Sequence, residues 1–261
     1  MFGHNFAVIG MVHVLPLPGS AGWRGSMQPI LESAVADARA YKEGGIDAVM
    51  LENMHDAPYL RGYVEPETTA ALAVVASAVK KECLLPVGIQ ILAGANLEAL
   101  GVALAAELDF MRVEGFVFAH IGDEGWHESC AAQLIRRRAA LRAEHIKIWV
   151  DIKKKHSAHA ITADVSLAET AEAADFFCAD GVIVTGTATG VPPSVGDVKE
   201  TREAFPKDVL VGSGVTVENI YDYMPYCNAV IVGSSLKHEG CWRNAVDIAR
   251  VQALMKAVPD R

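Results

Sequence analysis

The sequence predicts an α/β chain folded as a single (β/α)8 barrel, and three observations carry that prediction. Its 261 residues are close to the ~250 typical of one such barrel. Short β-branched runs alternate with longer Ala-, Leu- and Glu-rich segments, the pattern of parallel strands joined by helical crossovers. Eight such units, of about 30 residues each, follow one another, and this regularity favours closure over the alternative, an open doubly wound sheet. No linker, low-complexity stretch or charge block marks a second domain, so residues 1–261 read as one barrel domain.

The first strand, 6–12, ends at His13 and leads into Pro16-Leu17-Pro18-Gly19-Ser20, with Gly22 and Gly25 beyond. That connector reads as an ordinary βα loop or as one folded over the barrel mouth. Helix 29–43 carries Pro29 in its first turn, where a missing N–H costs nothing. Strand 47–51 ends at Glu52-Asn53 and is followed by helix 67–83. Strand 87–91 carries Gln90 at its end, and Asn96 stands as a start signal before helix 97–107. Strand 110–113 carries Arg112, with Glu114 next on the same face. The connection from 114 to about 128 mixes Gly115, Gly122 and Gly125 with Phe116, Phe118, Trp126, His120 and His127. A loop of that length is either a lid or a packed cover, and helix 128–142 follows it.

Strand 147–152 has Ile148, Val150 and Ile152 on its helix-facing side, so alternation turns Trp149, Asp151 and Lys153 into the barrel. After helix 166–178, strand 181–185 brings Thr185 and Thr187 to the mouth, and helix 195–204 follows. Strand 209–211 breaks into Gly212-Ser213-Gly214-Val215-Thr216, with Thr216 as the start signal of helix 217–224. Strand 229–232 breaks into Gly233-Ser234-Ser235, and helix 244–258 closes the chain.

Two glycine–hydroxyl turns after the last two strands are the clearest chemical signal. Glycine lets backbone N–H groups approach an anion, serine adds neutral donors, and a helix start adds its positive end. In barrels of this kind the same loops recurrently hold a phosphate, so Gly212, Ser213, Gly214, Gly233, Ser234 and Ser235 form the expected anion site. The plain alternative is two tight turns. Charged groups turned inward are costly unless used, which makes Asp151, Lys153 and Glu114 the catalytic candidates. Lys153 reads as a base, a Schiff-base nucleophile or a cation held by Asp151. His13, Glu52, Asn53, Gln90, Arg112, Thr185 and Thr187 complete the set as substrate-binding residues.

Net charge is −9, which argues against a nucleic-acid or anionic-membrane surface; the only basic run is Lys153-Lys154-Lys155. Cys83, Cys130, Cys178, Cys227 and Cys241 form no C-x-x-C pair, as expected of reduced thiols in a reducing compartment. Structural zinc is therefore not expected, and His156 and His159, three apart without a carboxylate at ligand spacing, read against metal binding. No cofactor is expected, though a divalent metal stays open. No apolar run approaches ~20 residues, and Met1-Phe2-Gly3-His4 leads almost directly into a strand, so neither a membrane span nor a signal peptide is expected. The expectation is a cytoplasmic chain, or one of the mitochondrial matrix if a transit peptide has been removed. Homo-oligomerisation stays open.

The segment Gly10-Met11-Val12-His13-Val14-Leu15-Pro16-Leu17-Pro18-Gly19-Ser20 resembles the opening signature of the BtpA/SgcQ family. So do Glu52 to Tyr59, Thr185 to Gly190, Val211 to Thr216 and Val232 to Lys237, each in the expected order. The resemblance implies a phosphate-binding TIM barrel whose reaction is not assigned for the family as a whole. One member is named for photosystem I biogenesis and another is grouped with carbohydrate genes. Departures fall at Gly88 to Asn96, at Arg112-Val113-Glu114 and at Asp151 to His156, forms similar to a subgroup with animal mitochondrial-type sequences. Asp151-Ile152-Lys153 is also similar to the Asp-x-Lys pair of phosphosugar decarboxylase barrels, but His156 stands where the later acidic partner would be. Two functions are therefore carried forward. One is an isomerase, lyase or glycosidic-cleavage enzyme acting on a phosphorylated sugar or nucleotide-derived metabolite. The other is a non-catalytic assembly or stability factor.

Overall fold

In the computed structural model, which describes residues 6–258, eight parallel strands close on themselves in chain order. They are β1 (Ala7–His13), β2 (Ala48–Glu52), β3 (Val87–Gln90), β4 (Phe110–Val113), β5 (Lys147–Ile152), β6 (Gly181–Val184), β7 (Asp208–Val211) and β8 (Ala229–Val232). Closure is made where β1 pairs with β8, Ala7 opposite Ala229 and Gly10 opposite Val232. That pairing rules out the open sheet. The bounds 1–261 read from the sequence run past the described residues at both ends, and Met1-Phe2-Gly3-His4 lies outside them.

The crossovers are α1 (Gln28–Gly44), α2 (Pro66–Cys83), α3 (Asn96–Ala105), α4 (Ala131–Ala140), α5 (Leu167–Phe176), α6 (Val195–Ala204), α7 (Ile220–Tyr223) and α8 (Ile248–Ala257). Pro29 does sit in the first turn of α1. Asn96 does not cap α3; it is helical, and its amide donates to the Glu114 carbonyl oxygen at 2.8 Å. Ser166 makes a full capping box with Glu169 on α5, and Ser194 caps α6.

Three segments differ from the sequence reading. The expected helix 217–224 is the single turn of α7. The expected helix 244–258 begins only at Ile248, after two 3-10 turns at Ser234–Leu236 and His238–Gly240, where Asp247 caps α8. The long connection after β4 is not an irregular loop. It contains the hairpin His120–Gly122/Gly125–His127, which pairs with Ser157–Ala158 from the loop after β5.

Strand residues divide between two apolar layers. Val8, Val12, Val49, Leu51, Ile89, Ile148 and Val150 face outward and pack beneath the helices. Ile9, Met11, Met50, Phe110, Trp149, Ile183, Leu210 and Ile231 face inward and plug the barrel, with the Phe110 and Trp149 rings 4.5 Å apart. Each such side chain contributes roughly 1.5–3 kcal/mol by leaving water. With the interior filled, the next inward positions, at the C-terminal strand ends, are polar and line the mouth.

Candidate active site

A cavity of about 580 Å³ opens at that mouth. Six strands supply its floor: His13 from β1, Glu52 from β2, Gln90 from β3, Arg112 and Glu114 from β4, and Gly212 and Gly233 just past β7 and β8. Its wall at β7 and β8 is made by Gly212-Ser213-Gly214 and Gly233-Ser234-Ser235, so both glycine–serine turns face the same space.

These turns are held from behind. Gly214 has φ +67°, and a Cβ there would lie 2.3 Å from the Pro192 nitrogen, so the position requires glycine on two counts. The Ser213 hydroxyl accepts from Gly190 N–H at 3.2 Å and from Lys155 Nζ at 3.5 Å. Ser235 donates to the Val215 carbonyl at 2.8 Å and so ties the two loops together. Arg250 of α8 also lines the cavity, within 3.3 Å of the Ser235 carbonyl. The wall combines backbone N–H groups, hydroxyls and cations.

Across the mouth the charges are coupled. Arg112 makes a bidentate pair with Asp151, both bonds 2.9 Å, with both side chains buried. Burial alone would disfavour the guanidinium charge, but Asp151 outweighs it and the Arg112 pKa is raised. Glu114 meets Lys154 Nζ at 3.5 Å and accepts from the Gln90 amide at 3.2 Å. Burial pushes its pKa up against the pull of Lys154. The second Glu114 carboxylate oxygen and the Gln90 amide oxygen are buried without a hydrogen-bond partner among the described residues, so both can still bond a ligand. Glu52 is likewise raised by burial, with Arg112 and Lys155 opposing. His13 is lowered to about 4 by burial and then by the Lys237 charge. Its Nδ1 lies 2.9 Å from the Trp242 carbonyl, an obligate acceptor, so Nδ1 carries the proton and Nε2 presents a lone pair.

Four candidates from the sequence lie elsewhere than expected. β5 ends at Ile152, and Lys153 has φ +44°, so strand alternation stops one residue before it. Its amine turns away from the main cavity and donates to the Thr162 carbonyl at 3.1 Å. Asn53 is buried behind the mouth, donating to Asp56 and accepting from Leu92 N–H. Thr187 is exposed and lines an adjoining cavity rather than this one. Thr185 lines that same neighbour, and its hydroxyl accepts from Lys155 N–H at 3.2 Å. Asp151 points inward but acts on the mouth through Arg112.

The same turn that removes Lys153 brings Lys154 and Lys155 to the cavity, with Tyr59, Asp123, Glu124 and Thr189. The signal for the two lysines is the Lys153-Lys154-Lys155 run itself, but strand alternation carried one residue past Ile152 turns Lys153 inward, whereas Lys154 and Lys155 line this cavity. Asp123 and Glu124 arrive through the hairpin, whose position depends on pairing between distant loops. Among the described residues, no group of three or more His, Cys, Asp or Glu side chains is placed to hold a metal ion.

Residues 4–260 match the model of the BtpA family. An uncharacterized protein of Caenorhabditis elegans, described as mitochondrial, is 44% identical over 96% of this chain and 92% of its own. The photosystem I biogenesis protein BtpA of Synechocystis is 35% identical over 98% of this chain and 89% of its own. Among solved structures, orotidine 5'-monophosphate decarboxylase from Methanocaldococcus jannaschii, complexed with the inhibitor BMP, superposes with a TM-score of 0.64. It is 14% identical and covers 98% of this chain and 100% of its own, a likeness of fold. No helix among the described residues is long and apolar enough to cross a membrane.

Proposed function

The chain belongs to the BtpA family, and from that premise and the geometry of the barrel mouth we propose an enzyme acting on a phosphorylated sugar or nucleotide-derived metabolite. The reaction class is isomerisation, carbon–carbon lysis or glycosidic cleavage. The phosphate is held by Gly212, Ser213, Gly214, Gly233, Ser234 and Ser235. His13, Glu52, Gln90 and Arg112 orient the remainder of the substrate, and Glu114 moves protons. Holding the anion on one wall fixes the reacting carbons against the titratable groups on the other, which is the proximity contribution to catalysis.

One observation carries this reading. The glycine–serine loops of β7 and β8 share a cavity with Lys155, 3.5 Å from Ser213, with the half-buried Glu52 and with the buried Arg112 and Glu114. A barrel that only needed a plug would keep that layer apolar, since buried charges cost more than packed hydrophobic groups. The name of the Synechocystis relative favours the second reading, an assembly or stability factor with a vestigial phosphate site. The proposed compartment is the cytoplasm, or the mitochondrial matrix after removal of a transit peptide; its support is the five free thiols and the nematode relative.

Thermal melting in the presence of sugar phosphates and nucleoside monophosphates tests the proposal. A ligand at roughly a hundred times its Kd stabilises by about 2.7 kcal/mol, a rise of several degrees for a chain of this size. Ser213→Asp places a carboxylate against the anion and is expected to abolish the rise. A panel in which no phosphorylated compound shifts the melting temperature would remove the enzyme reading and leave the assembly factor.

A further inference from the structure

At the upper barrel Lys237 and Lys154 are buried and Lys155 is half-buried, and the three are held in different ways. Lys237 is paired with Asp37 at 2.5 Å. Lys154 is paired with Glu114 at 3.5 Å. Lys155 has no carboxylate partner among the described residues; its amine reaches only the Ser213 hydroxyl, at 3.5 Å, the outer limit of a hydrogen bond. Its backbone, by contrast, is fixed, with its N–H bonded to Thr185 Oγ1 at 3.2 Å. A fixed stem therefore presents a loosely held amine to the cavity beside the glycine–serine loops.

We infer that Lys155 is a covalent catalyst: its Nζ forms a Schiff base with the carbonyl carbon of a phosphorylated aldehyde or ketone. The inference rests on the anion site proposed above and narrows its substrate to phosphate esters that also carry an aldehyde or ketone carbonyl on the same carbon chain. An amine placed only to neutralise phosphate needs permanent charge. Here burial, and next the neighbouring Arg112 guanidinium, lower the Lys155 pKa against the opposing pull of Glu52, Asp151 and Glu114, so its proton is lost more easily than that of a solvated lysine. Arg112 cannot give up its proton, and its bidentate bond to Asp151 keeps that cation in place.

The step balances within the site. The Nζ lone pair attacks the carbonyl carbon, the C–N bond forms, and the C=O π pair moves to oxygen. That oxygen takes a proton as the nitrogen loses one, giving a carbinolamine. A second proton converts the hydroxyl to leaving water, the nitrogen lone pair closes the C=N bond, and an iminium remains. Glu52 is suited to supply that proton, because it lines the same cavity and burial raises its pKa against the pull of Arg112 and Lys155. The iminium then acts as an electron sink for isomerisation or carbon–carbon cleavage.

The test is sodium borohydride trapping of the full chain with dihydroxyacetone phosphate and with ribulose 5-phosphate, followed by peptide mass mapping. The expected result is a reduced adduct on Lys155. Lys155→Arg, which keeps the charge and removes the nucleophile, should show no adduct there while the same compound still raises its melting temperature. Adducts confined to surface lysines, or none from either probe, would overturn the role of Lys155. If the Ser213-dependent thermal shift persists in that case, the anion site stands and only the Schiff base falls; if the shift is absent too, both fall.

Discussion

His13 shows how a single neutral imidazole is fixed at the mouth. The Trp242 carbonyl holds the Nδ1 proton, and Gly233 leaves Nε2 uncovered: a Cβ at Gly233 would lie 3.4 Å from it. Because burial lowers the folded pKa from 6.5 to about 4, the unfolded chain takes up this proton first as pH falls. The stabilisation is therefore complete above pH 6.5 and is lost progressively down to about pH 4. At about 1.4 kcal/mol per pH unit the upper bound is about 3 kcal/mol. Urea denaturation across that window should show a shallower decline for His13→Asn than for the unaltered chain, and equal slopes would contradict the assignment. Two glycines separate shape from function in the same way. Gly233→Ala meets only ordinary contact distances and should melt within a few degrees of the parent while losing phosphate-dependent stabilisation, because its methyl enters the cavity. Gly214→Ala must accommodate φ +67° and a 2.3 Å approach to backbone, and should lose stability by about 1–3 kcal/mol in the same urea titration. At this scale the sequence shows which residue types reach the mouth. It does not show their aim beyond a strand end, where one left-handed residue, Lys153, decides which of three consecutive lysines line the cavity.

Elements behave more predictably where packing is periodic. All eight strands lie within a residue or two of the bounds read from alternation and β-branching, since the outer face of each is apolar and buried beneath the helices. The segments that escaped are those fixed by distant partners: the hairpin at 120–127, paired with Ser157–Ala158, and the stretch from Ser234 to Val246 after β8. The latter is clamped to α1. Asp37 accepts from Lys237 Nζ at 2.5 Å and from Val246 N–H at 2.9 Å, while Lys237 is 1% exposed. This clamp sets Trp242, and through it the proton on His13. Asp37→Ala leaves a buried ammonium without a partner and is expected to cost about 3–5 kcal/mol by chemical denaturation. A loss below 1 kcal/mol would show that the loop holds itself. No periodicity links Asp37 to Lys237, so the pair could not be read from the chain.

For the whole molecule, closure of the barrel is what converts eight separate strand ends into one site. β7 and β8 stand across the mouth from β3 and β4, so the glycine–serine wall faces Gln90, Arg112 and Glu114 over a cavity of about 580 Å³. That size lies within the range of small-molecule sites, and polar groups converge on it from all round the barrel. Order along the chain was enough to anticipate which loops would share a wall, because consecutive parallel strands are neighbours in a closed barrel. A crystal structure of the chain soaked with ribulose 5-phosphate tests this arrangement most directly. The phosphate is expected against Gly212 to Gly214 and Gly233 to Ser235, with the sugar directed toward Lys155 and Glu52. A phosphate bound outside the barrel mouth, or a mouth left empty at a concentration that shifts the melting temperature, would contradict it.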